Sequence, residues 1–210
     1  MSFLFFKRVL ANPLRVGYLV PSSPFLTRQT ASRLDFSRPR VVVELGPGEG
    51  CHTREIAKRM GPDSRLVLFE VDPEFVSHLR RQFREDGRVT VLQTDALHIR
   101  EALGDLGHSR CDYILSGIPF SVIDKSIRSR ILSRIAGAMD ANSRFIAYQI
   151  GTQLCEEDHL FELATKSFCA LNLPPINVME FRRKSERLNP GNGGPSRRAE
   201  RPSEKRRSSP

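Results

Sequence analysis

The chain has few of the residues that build metal centres and disulfide frameworks. Its four cysteines, Cys51, Cys111, Cys155 and Cys169, lie far apart and form no CxxC pair. This spacing argues against a zinc site or a disulfide framework and favours free thiols in a reducing, intracellular compartment. The five histidines show no ligand spacing, so we expect no metal and place most of them at the surface.

Long apolar runs are also missing. No segment approaches the roughly 20 apolar residues that cross a bilayer. The start, MSFLFFKRVLANP, is too short and too soon charged for a secretory signal. With 210 residues, 39% hydrophobic and 27% charged, the chain suits one soluble domain with an extension.

Positive charge is concentrated at one end. The net charge is +9, and residues 181–210 alone hold ten Lys and Arg against three Asp and Glu. The segment after residue 184 is rich in Gly, Pro, Ser and Arg and has almost no apolar residue, so we expect it to be disordered. It could attract anionic lipids, bind RNA or simply be solvated.

Strand and helix patterns alternate through the middle of the chain. Ser23 and Pro24 have the residue types of a helix N-cap and first helical position. Continuous apolar strands between helices indicate a parallel α/β sheet with helices on both faces, and Pro174-Pro175 favours a closing hairpin. The predicted strands are 40–45, 65–71, 88–94, 111–117, 143–150, 167–173 and 176–183, and the later helices are 50–60, 73–83, 96–103, 122–138 and 153–165.

A glycine turn follows the first strand, in the stretch VVVELGPGEG. Gly46, Gly48 and Gly50 alternate along it, and Glu44 precedes them. Glycine lets a ligand touch backbone, and the next helix N-terminus favours an anionic group. The dinucleotide spacing G-x-G-x-x-G is absent, which weakens an oxidoreductase interpretation. E-x-G-x-G-x-G resembles the first motif of class I S-adenosylmethionine-dependent methyltransferases, although a plain structural loop remains an alternative.

Acidic residues end the next two strands. Glu70 is placed to accept from ribose hydroxyls and Asp95 from the adenine amino group, and we include their neighbours Val71 and Ala96 in the cofactor site. Asp72 instead has the position of a helix N-cap. Each acid alone could be a solvated strand end or cap, but together they favour S-adenosyl-L-methionine as the cofactor.

The fourth strand leads into Ser116-Gly117-Ile118-Pro119-Phe120. Adenine N6-methyltransferases resemble this region but carry an Asn or Asp whose side chain accepts from the target amine. The missing amide argues against base methylation and against a nucleic-acid partner. We place Ser116 at both the cofactor and the transferred methyl group.

Four motifs together resemble the bacterial phospholipid N-methyltransferases of the soluble, rRNA adenine dimethylase-like type. They are NPLRVGYLVPSS (12–23), VELGPGEG (43–50), SGIP (116–119) and NLPP (172–175). The resemblance implies a Rossmann-like class I fold with a seven-stranded, mostly parallel sheet, a C-terminal antiparallel hairpin and N-terminal amphipathic helices. It also implies stepwise methylation of phosphatidylethanolamine towards phosphatidylcholine. The domains would be N-terminal helices over 1–36, a methyltransferase domain over 37–184 and a basic tail over 185–210.

Aromatic and basic residues mark the candidate substrate and membrane contacts. Tyr18 and Tyr148 could hold a methylated ammonium by cation–π attraction, although Tyr148 is equally suited to the core. An aromatic, basic first helix would lie at the inner face of the cell membrane, unless its phenylalanines pack on the domain. The remaining candidates are Phe3, Phe5, Phe6, Lys7, Arg8, Arg15, Arg28, Ile118, Pro119 and Phe120, where Arg15 and Arg28 could meet a lipid phosphate or be ordinary surface residues.

The residues alone are compatible with three functions. The first is methylation of an aminophospholipid at the membrane surface, the second is methylation of RNA or a small-molecule amine, and the third is a silent membrane- or RNA-binding module. The intact glycines, Glu70 and Asp95 argue against the silent module.

Overall fold

The computed structural model describes residues 21–152, 154 and 159–184. Strands and helices alternate from the first helix to the fifth strand, as predicted, and two strands follow. The helices are α1 (Pro24–Ala31), α2 (Cys51–Ala57), α3 (Pro73–Gln82), α4 (Ile99–Asp105) and α5 (Lys125–Ala138). The strands are β1 (Val41–Leu45), β2 (Arg65–Glu70), β3 (Val89–Gln93), β4 (Tyr113–Ser116), β5 (Arg144–Gln149), β6 (Phe161–Cys169) and β7 (Ile176–Arg183).

The seven strands form one sheet in the order β3-β2-β1-β4-β5-β7-β6. The first five are parallel, and β7 runs antiparallel to both β5 and β6. The chain moves outward from β1 to β3 and then crosses to β4 on the other side of β1. This reversal makes the carboxyl end of β1 the topological switch point, where open α/β sheets bind ligands.

The sheet is buried on both faces. One core contains Val43, Leu45 and Ile114 with residues of α4 and α5. The other contains Val42 and Leu115 with residues of α1, α2 and α3. Burial on both faces explains why the central strands are apolar without alternation.

Local sequence signals fix where the helices begin. The Ser23 side chain accepts from the Leu26 N–H, with Pro24 at the first turn of α1. Asp72 caps α3 by accepting from the Glu74 N–H. These caps satisfy N–H groups that no helical carbonyl can reach, and both were predicted from residue type.

The prediction of a helix over 153–165 is wrong where the chain is described. Residues 161–165 belong to β6, which begins at Phe161 and ends at Cys169 instead of running from 167 to 173. Residues 170–175 form the turn to β7, with a cis peptide bond between Leu173 and Pro174. The hairpin itself and the bounds of β7 are as predicted.

Helix α1 packs against the sheet, since Leu26 and Ala31 are fully buried in the second core. Within the described part of the chain, no helix has the length and apolar character to cross a bilayer. The proposed first segment of the N-terminal region and the basic tail fall outside the described residues.

Candidate functional site

The glycine turn connects β1 to α2 at the switch point. Gly48 has a φ of +55°, which side-chain-bearing residues rarely adopt, and a Cβ built on it would face open space. Gly50 also has a positive φ, and its Cβ would lie 2.8 Å from Cδ2 of Leu79. Gly48 therefore leaves its backbone open to a ligand, whereas Gly50 lets α2 approach α3 closely.

Glu70 organises this turn from the end of β2. Its Oε2 accepts from the Gly48 N–H at 3.1 Å, and its Oε1 accepts from the Val71 and Asp72 N–H groups at 2.8 and 2.9 Å. Burial raises the pKa of the Glu70 carboxyl, and these N–H groups oppose that shift. The carboxylate thus holds the glycine turn against β2.

A cleft that is open at its mouth lies beside the turn. Its polar lining includes Glu70 and Asp95. Glu70 is the last residue of β2, and Asp95 lies two residues after the end of β3. The rest of its wall is mainly apolar, which suits a flat base and a sugar with acidic groups at the rim. The cleft is also lined by Gly46, Val71 and Ala96, so the structure brings together five of the nine predicted cofactor residues. Ile118, a predicted substrate contact, lines it as well.

Asp95 has a structural role as well. Its Oδ1 accepts from the Leu97 N–H at 2.9 Å and caps the short 3₁₀ turn Ala96–His98. The cap fixes the carboxylate at the cleft wall. Asp95 can therefore cap this turn and also contact a ligand in the cleft.

Glu44 lies buried beneath the glycine turn. Its Oε2 accepts from the Thr53 hydroxyl at 2.7 Å, while Oε1 has no hydrogen-bond partner among the described residues. Burial raises the pKa of Glu44 to about 7. An ammonium group next to the turn would satisfy the unpaired oxygen and favour the ionised form. The α-amino group of S-adenosylmethionine fits that requirement.

Glu44→Gln should therefore change how stability and cofactor affinity depend on pH. The folded-state pKa lies above the ordinary value of 4.5, so the wild type loses stability as pH rises through that value towards about 7. The variant lacks this loss of stability. The melting temperature of the variant minus that of the wild type should therefore increase as pH rises from about 5 to about 8. Calorimetry should also show wild-type cofactor affinity rising over that range. Parallel curves for both proteins would contradict the assignment.

The loop after β4 brings Gly117 against Tyr148 of β5. A Cβ on Gly117 would lie 2.5 Å from the Tyr148 hydroxyl oxygen and 3.0 Å from the Gly46 carbonyl oxygen. The Ser116 hydroxyl oxygen is buried and accepts from the Ile118 N–H at 3.2 Å. Tyr148 thus reaches the carboxyl ends of β1 and β4, where the predicted methyl-transfer position lies.

His52 supports Tyr148 from α2. The two rings stack with centroids 4.0 Å apart and 23° between their planes. Burial lowers the pKa of His52 to about 3, and burial followed by the nearby charge of Glu44 raises the pKa of Tyr148 well above its usual value. Both rings are therefore neutral at physiological pH, and neutral aromatic faces attract a cationic amine.

His52 was missed in the sequence, where most histidines were expected at the surface. It is buried, and its Nε2 has no hydrogen-bond partner within the described residues. The available signal was its position directly after the glycine turn, on the first turn of α2. Phe120, a predicted substrate or membrane contact, is fully buried and packs edge-on against Phe145, so its side chain offers no surface to a membrane. Pro119 is buried as well.

The remaining predicted residues lie elsewhere. Arg28 is exposed and shares a polar hollow between α1 and α2 with Arg54 and Lys58. Among residues 21–152, 154 and 159–184, no cluster of three or more His, Cys, Asp or Glu could hold a metal ion. Seven candidates fall outside the described residues: Phe3, Phe5, Phe6, Lys7, Arg8, Arg15 and Tyr18.

Comparison with solved structures supports the fold. The 1,6-didemethyltoxoflavin-N1-methyltransferase of Burkholderia thailandensis, solved with S-adenosylhomocysteine, gives a TM-score of 0.64 at 16% identity over 88% of this chain and 92% of that one. The N-methyltransferase NodS of Bradyrhizobium japonicum gives 0.60 at 14% identity over 87% of this chain and 98% of its own. The predicted class I methyltransferase fold is confirmed.

Sequence comparison shows the family. The family profile described as ribosomal RNA adenine dimethylase matches residues 20–114. The probable ribosomal RNA small subunit methyltransferase A of Methanospirillum hungatei is 30% identical over 53% of this chain and 43% of its own. The ornithine lipid N-methyltransferase of Singulisphaera acidiphila is 34% identical over 84% of this chain and 93% of its own. The chain therefore belongs to the bacterial lipid N-methyltransferases of the rRNA adenine dimethylase-like class, and it is an S-adenosylmethionine-dependent N-methyltransferase.

Proposed function

We propose that the enzyme methylates the amino group of a membrane aminolipid at the inner face of the cell membrane. Phosphatidylethanolamine, converted stepwise towards phosphatidylcholine, is the substrate that the sequence motifs imply. The related enzyme from Singulisphaera acidiphila is named for ornithine lipid, which makes that lipid the competing substrate.

The contact between Gly117 and Tyr148 carries this proposal. Gly117 precedes Ile-Pro-Phe, where adenine dimethylases place the asparagine of Asn-Leu-Pro-Tyr. The Tyr148 hydroxyl fills the space that any Cβ at Gly117 would need. The hydroxyl end of Tyr148 thus stands where an adenine enzyme has an amide acceptor, and the neutral ring that carries it suits an alkylammonium better than the edge of a base.

Several residues would hold the cofactor. Gly46 and Gly48 would admit its amino-acid end, Glu44 would pair with its ammonium group, and Glu70 and Asp95 would accept hydrogen bonds from its ribose and adenine. When bound, S-adenosylmethionine supplies an electrophilic methyl group on a sulfonium. The protein's task is then to align the lipid amine with the S–CH₃ bond and exclude water.

Tyr148 and His52 orient the amine without taking its proton. The raised pKa of Tyr148 keeps its hydroxyl protonated, and the lowered pKa of His52 makes the imidazole a poor proton acceptor. Ser116 is hydrogen-bonded within its own loop. We therefore assign proton loss to water at the mouth of the site, before the neutral amine attacks.

RNA is the second candidate, since the matched profile is that of a ribosomal RNA adenine dimethylase. The missing amide at Gly117 argues against adenine as the acceptor. Electrostatic attraction from the basic tail would add affinity for RNA but no sequence specificity.

One labelling experiment tests these alternatives. The purified enzyme is incubated with methyl-labelled S-adenosylmethionine and vesicles that contain either phosphatidylethanolamine or ornithine lipid, with RNA in a parallel reaction. We expect label in an aminolipid and none in RNA, and mass spectrometry of the product counts the methyl groups. Label confined to RNA would reject the proposal.

A further inference from the structure

Seven large apolar side chains are exposed among the described residues, and five of them lie at one edge of the molecule. We call these five the apolar rim: Leu173, Leu171, Phe168, Phe25 and Ile150, exposed by 77%, 64%, 60%, 55% and 42%. The other two lie towards the opposite edge of the sheet, since Leu163 pairs with Phe181 beside the start of β5 and Leu106 follows α4 ahead of β4. Scattered exposed leucines are ordinary on a soluble protein, but a cluster of this kind marks an interaction surface.

Strand register places the rim at the carboxyl edge, where the cofactor cleft opens. Gln149, at the end of β5, pairs with Asn177 at the start of β7, and Asn177 pairs with Phe168. The Asn177 side chain also donates to the Ile150 carbonyl oxygen at 2.7 Å. The turn of residues 170–175 therefore extends past the ends of the parallel strands.

Asn172 fixes that turn to the start of α1. Its Oδ1 accepts from the Ser23 N–H at 2.8 Å, and its Nδ2 donates to the Pro174 carbonyl oxygen at 2.8 Å. Asn172 is buried, while Leu171 and Leu173 on either side of it are exposed. A turn facing only water would favour the reverse arrangement, with the polar residue outside and the leucines inside.

We propose that the apolar rim inserts into the interfacial region of a phospholipid bilayer and brings the mouth of the active site to the lipid amine. The inference rests on the proposed function, because a lipid substrate keeps its acyl chains in the bilayer while its amine enters the site. The rim lies at the same carboxyl edge of the sheet as the cleft, on the side of β5, β7 and β6. It is separate from the N-terminal phenylalanines, which the described residues do not include.

The form and charge of this region favour a bilayer over a protein partner. The rim's most exposed residues, Leu171 and Leu173, lie on the tight turn of residues 170–175. Side chains on such a turn can insert between lipids more readily than they can fill a groove on a protein. Exposed Lys166 and Arg28 lie two and three residues from Phe168 and Phe25. Apolar insertion flanked by cations is the combination that anionic membrane surfaces bind.

Tryptophan fluorescence tests insertion directly, because the chain has no tryptophan of its own. Leu173→Trp would place a single reporter at the most exposed rim position, and Leu106→Trp is the control at the opposite edge. With vesicles of phosphatidylethanolamine and phosphatidylglycerol, Leu173→Trp emission should shift to the blue and be quenched by brominated acyl chains. Emission that matches the control would overturn the proposal.

A second pair of variants tests whether insertion contributes to binding. Leu171→Ser with Leu173→Ser should lower the vesicle partition coefficient about tenfold, whereas Leu106→Ser with Leu163→Ser should leave it unchanged. Activity should fall on vesicles but not on a short-chain aminolipid dissolved as monomers. Equal partitioning of both double variants, or a rim-dependent dimer in light scattering without any change in vesicle binding, would reject bilayer insertion.

The two proposals can fail separately. If the enzyme labels no aminolipid but the Leu173→Trp reporter still enters the bilayer, membrane insertion of the rim is supported and the proposed function is rejected. If aminolipid is labelled and the reporter stays in water, the function is upheld and the rim is rejected.

Discussion

Glu70→Gln should weaken S-adenosylmethionine binding up to about a hundredfold, because hydrogen bonds to a charged group contribute up to about 3 kcal/mol. The wild-type carboxylate accepts from the N–H groups of Gly48, Val71 and Asp72. An amide must turn its NH₂ group towards one side of this set, where it faces donors instead of acceptors. The variant therefore loses part of the support of the glycine turn together with an acceptor for the ribose.

Isothermal titration calorimetry with S-adenosylhomocysteine measures the loss. Glu74→Gln is the matched control, since Glu74 lies four residues away and its side chain is exposed at the start of α3. The control should bind as the wild type does. Equal affinity for Glu70→Gln and Glu74→Gln would remove Glu70 from the cofactor site and, with it, the assignment of the cleft.

The parallel part of the fold was predictable because strand composition and helix caps indicate the same elements. The strands β1, β2 and β4 are buried on both faces and consist largely of aliphatic residues, and helix caps such as Ser23 and Asp72 mark where α1 and α3 begin. Glu70 and Asp95 were identified for the same reason. Carboxyl ends of neighbouring parallel strands meet at one edge, so position in the strand predicts position in space.

Strand β6 was mispredicted because it is an edge strand with little contact on either face. Residues 162–166 of β6 are all exposed, so the chain shows no alternation there. The segment FELATK also contains good helix formers. Pairing with β7 decides its conformation, and that interaction joins residues far apart in the sequence.

The Tyr148 arrangement was only partly predictable for a similar reason. Its place near the end of β5 indicated the ligand side, but its contacts come from the loop after β4 and from α2. No periodicity links Gly117 and His52 to Tyr148, since each lies on a different element. The burial of His52 likewise depends on the stacking of α2 over the sheet, which is a property of the folded chain.

Gly117→Ala should lower kcat about a hundredfold, because a shift of about 1 Å in a positioned group has effects of that size. The added methyl group would lie 2.5 Å from the Tyr148 hydroxyl oxygen and 3.0 Å from the Gly46 carbonyl oxygen. Atoms cannot remain 2.5 Å apart, so Tyr148 must move from its place against His52. A separation of 3.0 Å is tighter than most contacts, so the glycine turn is pushed as well. Both changes displace groups at the predicted methyl-transfer position.

A double variant separates the two displacements. Tyr148→Phe removes the oxygen at 2.5 Å, but the ring carbon Cζ and the Gly46 carbonyl oxygen remain 3.0 Å from the new methyl group. Gly117→Ala with Tyr148→Phe should therefore recover part of the activity of Gly117→Ala, measured as methyl transfer to aminolipid at saturating cofactor. Gly104→Ala is the matched control, because a Cβ there meets no atom within 4 Å and alanine suits a position in the last turn of α4. No recovery in the double variant, or equal kcat for Gly117→Ala and Gly104→Ala, would show that Tyr148 does not shape this part of the site.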